Sequence, residues 1–271
     1  MSNTTAAWFE DRIAASVAPL LPGFAVEAVA EIDSTNTELM RRARAGRTEP
    51  VLLVAERQTA GRGRLGRPWQ SAQQQEEQQA SLTFSLGLPL APADWSGLSL
   101  AVGVSVAESL DPSGAHRIGL KWPNDIWVND SKLVGILIET ALPHAGAPGA
   151  QRYVVIGIGI NIGAREADGM RTPPAWLRQW RPDATAPEVL RELAEPLVRS
   201  VLAFEAQGFA QFAERFAARD VLRGREVVLS DGTAGVCEGV AWGGELQVRT
   251  AAGLQAITSD EVSVRPRGMA F

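Results

Sequence analysis

The sequence predicts an α+β fold, a mixed β-sheet backed by helices and followed by a small β-barrel, and three observations carry that prediction. Strand-like and helix-like runs mix without strict alternation from Trp8 to Ile162, which disfavours a doubly wound parallel sheet. A helical pattern then occupies Ala186 to about Ala218. After Asp220 the chain changes to short strand candidates separated by glycine turns, so it divides into residues 1–219 and 220–271.

Taken in order, Trp8 to Leu20 has a helical pattern and Val26 to Ile32 reads as a strand. Thr35-Asn36-Thr37-Glu38 has the spacing of a capping box opening a helix to about Ala45. Strands are expected at Val51 to Ala55, Ser81 to Leu88, Ile118 to Trp122, Lys132 to Thr140 and Tyr153 to Ile162, with an apolar helix at Leu98 to Leu110. In the carboxyl-terminal part the candidates are Arg225 to Leu229, Ala234 to Ala241, Glu245 to Arg249, Gly253 to Ile257 and Glu261 to Val264. Asp231-Gly232, Gly243-Gly244 and Ala252-Gly253 supply their turns.

Composition narrows the function. With 271 residues, 45% of them hydrophobic, the chain can fill one large core and a smaller one. A net charge of −5 argues against coating nucleic acid, and no basic recognition element is visible. No apolar stretch approaches a membrane span, and Met1 to Arg12 lacks the features of a signal peptide, so the expected location is the cytoplasm. Cys237 is the single cysteine and suits a small packed side chain. His116 and His144 sit beside Gly/Pro-rich turns, where histidines are usually solvated. That argues against a zinc site or a Ser-His-Asp triad. The chemistry has to run on positioning and charge.

Three clusters have that character. Gly61-Arg62-Gly63-Arg64-Leu65-Gly66-Arg67-Pro68-Trp69 sets three arginines on a glycine-rich backbone after an apolar run. Its glycines let main-chain N–H groups turn toward an anion, and its arginines add planar, permanently charged donors. The alternative is a solvated turn. The run also satisfies G-x-G-x-x-G, but Pro68 follows and no amphipathic helix opens, so a dinucleotide fold is disfavoured. Lys121-Trp122-Pro123-Asn124-Asp125 precedes Lys132 by a short segment, and the two lysines could converge on one anion. A β-hairpin tipped by Asn129-Asp130, its lysines in water, is the alternative. Gly157-Ile158-Gly159-Ile160-Asn161 leaves room for a ligand and ends in an amide. That amide suits the adenine edge, with Trp69 as a stacking face, or else it caps a strand end.

These three clusters, with Lys132-Leu133-Val134-Gly135-Ile136-Leu137 and with Ser34-Thr35-Asn36 near the start, resemble the motifs of the biotin protein ligases in order and approximate spacing. The resemblance spans roughly residues 30 to 165. It implies a catalytic domain of the biotin and lipoate ligase type, related to class II aminoacyl-tRNA synthetases, with an SH3-like barrel behind it. It further implies a two-step reaction with ATP and magnesium: biotin becomes biotinyl-5′-AMP, and a lysine of a biotin carboxyl carrier domain, as in acetyl-CoA carboxylase, then accepts it.

By the same resemblance, Ser34, Thr35, Asn36, Gln58, Gly61, Arg62, Arg64, Lys132, Gly135 and Leu137 would bind biotin. Arg62, Arg64, Arg67, Trp69, Asn124, Lys132 and Asn161 would bind ATP. Lys132, Arg64, Asp125 and Lys121 would be catalytic, with Asp125 holding magnesium or orienting the incoming lysine. Nucleic acid and membrane are not expected as partners, and a homodimer is left open.

The sequence departs from the family at Gln73 to Gln79, a polar tract with no apolar face. About 30 residues precede the biotin motif, too few for a winged helix-turn-helix, which points to the ligase-only form. A lipoate-type ligase or transferase and a non-catalytic biotin or nucleotide-binding regulator are the alternatives. The segment from Gly61 to Gln79, with little apolar contact to hold it, is expected to be mobile until a ligand orders its arginines.

Overall fold

The structure, a computed structural model, describes residues 7–69, 80–141, 151–165, 170, 172–258 and 264–268. The Gln73 to Gln79 tract and His144 lie outside them. Helix α1 (Glu10–Val17) buries Ile13 and Val17. Strand β1 (Ala25–Ile32) leads into α2 (Thr35–Arg44), and β2 is Val51–Gln58. Strand β3 (Ser81–Leu90) and α3 (Leu98–Leu110) follow, then β4 (Gly119–Lys121), β5 (Asp125–Val128), β6 (Ser131–Ala141) and β7 (Arg152–Asn161). The cap of α2 is Ser34 and not Thr35, one residue before the expected motif, because Ser34 Oγ accepts from the Thr37 amide while Thr35 turns inward.

These seven strands form one sheet in the order β1-β2-β3-β7-β6-β5-β4. Only β1 and β2 pair in parallel; the remaining neighbours are antiparallel, which makes the expected mixed sheet. Helices cover both faces. Leu52 and Val54 of β2 join the larger core with α1 and α3, while Val51 and Leu53 pack against Leu39 and Met40 of α2 in a smaller one. Burial on both faces is why β2 reads as an unbroken apolar run. Helix α3 is buried almost all round, which explains its uniformly apolar composition.

Strands β5 and β6 form the hairpin tipped by Asn129 and Asp130, whose φ values of 48° and 59° are the left-handed pair that a tight hairpin turn uses. The hairpin and the converging lysines are both present.

Helix α4 (Ala186–Gln207), capped by Thr185, and the short α5 (Ala213–Ala217) lead to a second sheet. Its strands are β8 (Glu226–Leu229), β9 (Ala234–Val240), β10 (Leu246–Thr250), β11 (Gly253–Ile257) and β12 (Val264–Pro266), in the order β11-β10-β9-β8-β12 and all antiparallel. It fits an SH3-like unit, with no pairing between β11 and β12 among the described residues.

The second sheet is not loosely attached. Val227, Leu229, Cys237, Leu246, Val248 and Val264 belong to the same core as α3 and β7. Asp220 bridges Leu120, the Trp122 indole donates to the Gly244 carbonyl at 3.1 Å, and Arg225 pairs with Asp130 at 2.6 Å. Cys237 is fully buried, and burial pushes its thiol up to about 12, so it packs as the expected small apolar side chain. His116 is exposed and stacks on Trp180.

Candidate active site

The site begins as a row of missing side chains. Register places Thr83, Gly159, Gly135 and Asp125 side by side across β3, β7, β6 and β5, with Ser85, Gly157 and Leu137 in a parallel row. Glycine weakens a strand interior but permits close approach. A Cβ on Gly157 would overlap the Asn36 amide, and one on Gly159 or Gly135 would overlap the Trp69 indole. The glycines therefore clear a trough across the sheet, and loops roof it into a cavity of about 350 Å³.

One end of the cavity is polar and neutral. Ser34, Thr35 and Asn36 at the start of α2 are all at most 3% exposed. The Thr35 amide donates to Gln58 Oε1 at 2.8 Å, and Ser85 Oγ lies 2.7 Å from Thr35 Oγ1 and 2.6 Å from Asn36 Oδ1. The Asn36 amide N–H groups reach the Leu137 carbonyl and Glu139 Oε2. Fixed donors and acceptors in an apolar trough can orient a neutral polar ring.

The other end is cationic. Lys121 and Asp125 face each other across the β4–β5 hairpin, and Lys132 Nζ lies 2.6 Å from Asp125 Oδ1. Burial alone would raise the Asp125 carboxyl, but the charges of Lys132 and Lys121 hold it below its usual range. Burial, with help from Lys132, Arg265 and Arg64, lowers Lys121 to about 8 against the pull of Asp125. Arg64 Nη1 reaches toward Asn124 Oδ1 at 3.4 Å, and Asn124 in turn donates to the Ile136 carbonyl.

The Lys121 shift has a consequence for stability. Below about pH 8 Lys121 is charged in both the folded and the unfolded chain, and the folded state bears the cost of that buried charge. Between about 8 and the ordinary value of 10.5 only the unfolded chain holds the proton, so this residue's contribution to stability rises with pH through that window. Lys121→Met should therefore raise the denaturant midpoint in metal-free buffer at pH 7, with the gain shrinking above pH 8. A variant less stable at pH 7 than the parent would contradict the assigned cost.

The arginine run closes on itself. Arg62 and Pro68 form a bridge, Gly63 N donates to Arg67 O at 2.6 Å and Trp69 N donates to Gly61 O at 2.8 Å, with a single 3-10 turn at Arg64–Gly66. Residues 61–69 thus fold as a bonded loop with one 3-10 turn and not as the first turn of an α-helix, which a G-x-G-x-x-G dinucleotide fingerprint would open. Gly61 does not line the cavity; a Cβ there would strike the Trp69 carbonyl, so this glycine lets the two limbs of the loop approach. Arg62 turns to the wall, with Nη2 2.6 Å from Glu139 Oε2 and Nε 3.0 Å from Thr37 Oγ1. Within the segment expected to be mobile, residues 61–69 form an internally bonded hairpin, and the remainder lies outside the described residues.

Every other residue singled out from sequence lines the cavity: Ser34, Thr35, Asn36, Gln58, Arg62, Arg64, Arg67, Trp69, Lys121, Asn124, Asp125, Lys132, Gly135, Leu137 and Asn161. The amide of Asn161 is committed within the protein. Its Nδ2 donates to the Lys132 and Ala175 carbonyls at 3.0 and 2.9 Å, and its Oδ1 accepts from Arg165 at 2.6 Å. Donation from this amide to adenine would need it to release one of the two carbonyls, while its oxygen keeps one lone pair free to accept.

Sequence reasoning missed Arg165, whose guanidinium lies 5.7 Å over the Trp69 ring, and Arg265 on β12, which is 8% exposed and donates to Thr172 Oγ1. Neither sits in a glycine-rich or lysine-bearing motif. Only the fold brings them to the cavity.

The sequence profile of the Biotin/lipoate A/B protein ligase family matches residues 28–161. Over 250 residues the chain is 34% identical to the biotin–[acetyl-CoA-carboxylase] ligase of Paracoccus denitrificans, an alignment covering 86% of this chain and 98% of that protein. The chain belongs to the biotin/lipoate A/B protein ligase family. It is also 32% identical to the bifunctional ligase/repressor BirA of Escherichia coli K12, over 90% of this chain and 75% of that one. The solved structure of a family member, the biotin protein ligase from Aquifex aeolicus in complex with biotin and ATP, superimposes with a TM-score of 0.74 at 29% identity, covering 89% of this chain and 98% of the other. Among the described residues no helix is long and apolar enough to cross a membrane.

Proposed function

We propose that this family member is an ATP-dependent biotin protein ligase, which converts biotin to biotinyl-5′-AMP and passes the biotinyl group to a lysine of a biotin carboxyl carrier domain. The observation that carries this reading is the polarity of a single cavity, with buried neutral hydrogen-bonding groups at one end and clustered cations at the other. Biotin has the matching form, a neutral ureido ring at one end and a carboxylate at the other. The cavity volume of about 350 Å³ suits a small ligand rather than a chain segment.

In this reading Ser34, Thr35, Asn36 and Gln58 orient the ureido ring on the floor cleared by Gly135 and Gly157. Lys132 bridges the biotin carboxylate and the α-phosphate, where negative charge grows during attack. Arg64, Arg67, Arg165 and Arg265 hold phosphate oxygens, with Lys121 adding charge from beneath. The Trp69 indole, flat on Gly159 and Gly135, offers a face to the base, and its buried N–H has no partner among the described residues. Asn161 contributes by holding Lys132 and Ala175 in place. Asp125 is the one acidic side chain among the described residues lining the cavity, so magnesium would be carried mostly by phosphate oxygens with Asp125 as its protein ligand. The two sheets divide into units at about residue 220, and the enzyme works in the cytoplasm.

Purified protein should catalyse exchange of pyrophosphate into ATP that depends on biotin and is not supported by lipoate, and should then biotinylate a carboxyl carrier domain. Exchange that is absent, or that lipoate drives as well as biotin, would overturn the reading.

A further inference from the structure

Glu139 on β6 is outside the cavity lining, yet it touches both parts of the site that a neutral ligand ring would need. Its Oε2 accepts from Asn36 Nδ2 at 3.0 Å and from Arg62 Nη2 at 2.6 Å. We infer that Glu139 is a positioning residue, which docks the arginine loop and at the same time sets the hydrogen-bond polarity of the neutral end of the cavity.

An ionised carboxylate only accepts, so the Asn36 amide must turn its NH₂ toward Glu139 and its oxygen toward Ser85. The Leu137 carbonyl, 3.3 Å from the same nitrogen, asks for the same orientation. With Asn36 Oδ1 2.6 Å away, the single Ser85 hydroxyl proton goes there. The Thr35 hydroxyl must then spend its own proton on Ser85 or on Gln58 Oε1, 3.2 Å away, and acts toward a ligand as an acceptor. A donor such as a ureido N–H is what that end then receives. The same carboxylate anchors the first limb of the loop through Arg62, which Thr37 holds from the other side. One charge thereby links how the loop sits to which atoms the floor presents.

The inference rests on the biotin reading, and wild-type protein that binds no biotin would overturn that reading instead. Glu139→Gln keeps the shape but removes the charge facing Arg62 and leaves the longer Leu137 carbonyl contact as the remaining fixed acceptor that orients the Asn36 amide. Calorimetry without ATP should find biotin binding about tenfold weaker, the equivalent of about 1.4 kcal/mol. Biotinyl-AMP should escape faster, while kcat at saturating biotin and the thermal midpoint stay near wild type. Arg62→Ala removes the same tie from the exposed side and should also weaken biotin, and the double variant should be no worse than the worse single one. Wild-type biotin affinity in Glu139→Gln, strictly additive effects, or equal loss of kcat and affinity would overturn the role.

Discussion

Lys132→Ala should abolish formation of biotinyl-AMP and leave the fold intact. The side chain projects between Asp125, 2.6 Å from its Nζ, and the Trp69 ring, 5.6 Å away, at the cationic end of the cavity. A carboxylate attacking a phosphate gathers charge there, and removing one preorganised contact to such charge typically costs about 3 kcal/mol, more than a hundredfold in rate. Much of the structural work of residue 132 is done by its backbone. Its N–H donates to the Pro173 carbonyl, and its carbonyl accepts from Asn161 Nδ2 and from the Ala175 amide. Alanine keeps all three bonds but takes one of two cations from buried Asp125, so the thermal midpoint is measured beside the assay to separate lost chemistry from lost stability. Biotin-dependent pyrophosphate exchange measures the first half-reaction directly, and a near-wild-type rate would remove Lys132 from the chemistry.

The second large effect is expected from a residue in the other sheet. Arg265 is 8% exposed on β12 and lines the cavity beside Lys121, with Thr172 Oγ1 2.9 Å from its Nη1. Arg265→Ala should lower kcat/KM for ATP on the order of a hundredfold, as loss of a preorganised phosphate contact does. Biotin affinity measured without nucleotide should hardly change, because the ureido end lies across the trough. Steady-state titration with ATP and calorimetry with biotin separate the two, and equal losses in both would mean a general collapse of the site. Deleting residues 220–271 is a blunter experiment. It takes seven buried side chains out of the larger core, Leu222, Val227, Leu229, Cys237, Leu246, Val248 and Val264, so the truncated chain should fail to fold rather than report on catalysis.

Much of the fold was legible because its signals are local. The period of apolar residues marked α3 at its actual ends, Leu98 and Leu110, and marked β2, β3, β6 and β7 to within a few residues. β5 was missed as a separate strand because only four residues long, Asp125 to Val128, it reads as part of the lysine cluster. The cap of α2 was misplaced because Thr35 fits the cap spacing as well as Ser34 does. What decides between them is that Thr35 is needed inward, against Gln58 and Ser85.

By itself the sequence determined which residue types meet an anion: arginines on a glycine backbone, two lysines near one aspartate, and strands with alternate glycines. Those are properties of short segments, and short-range sterics and charge make them readable. Tertiary structure alone decided what each of these side chains faces. Arg62 turns out to the wall toward Glu139, the Asn161 amide is spent on two carbonyls, and Arg165 and Arg265 arrive from segments with no motif. Strand register sets these contacts. Gly159 opposes Gly135, and Gly157 opposes Leu137, only because β6 and β7 pair as they do, and a slip by one residue would turn each glycine to the other face. Register is fixed by the burial of both faces of the sheet at once, a sum over residues far apart in the chain that no local window contains.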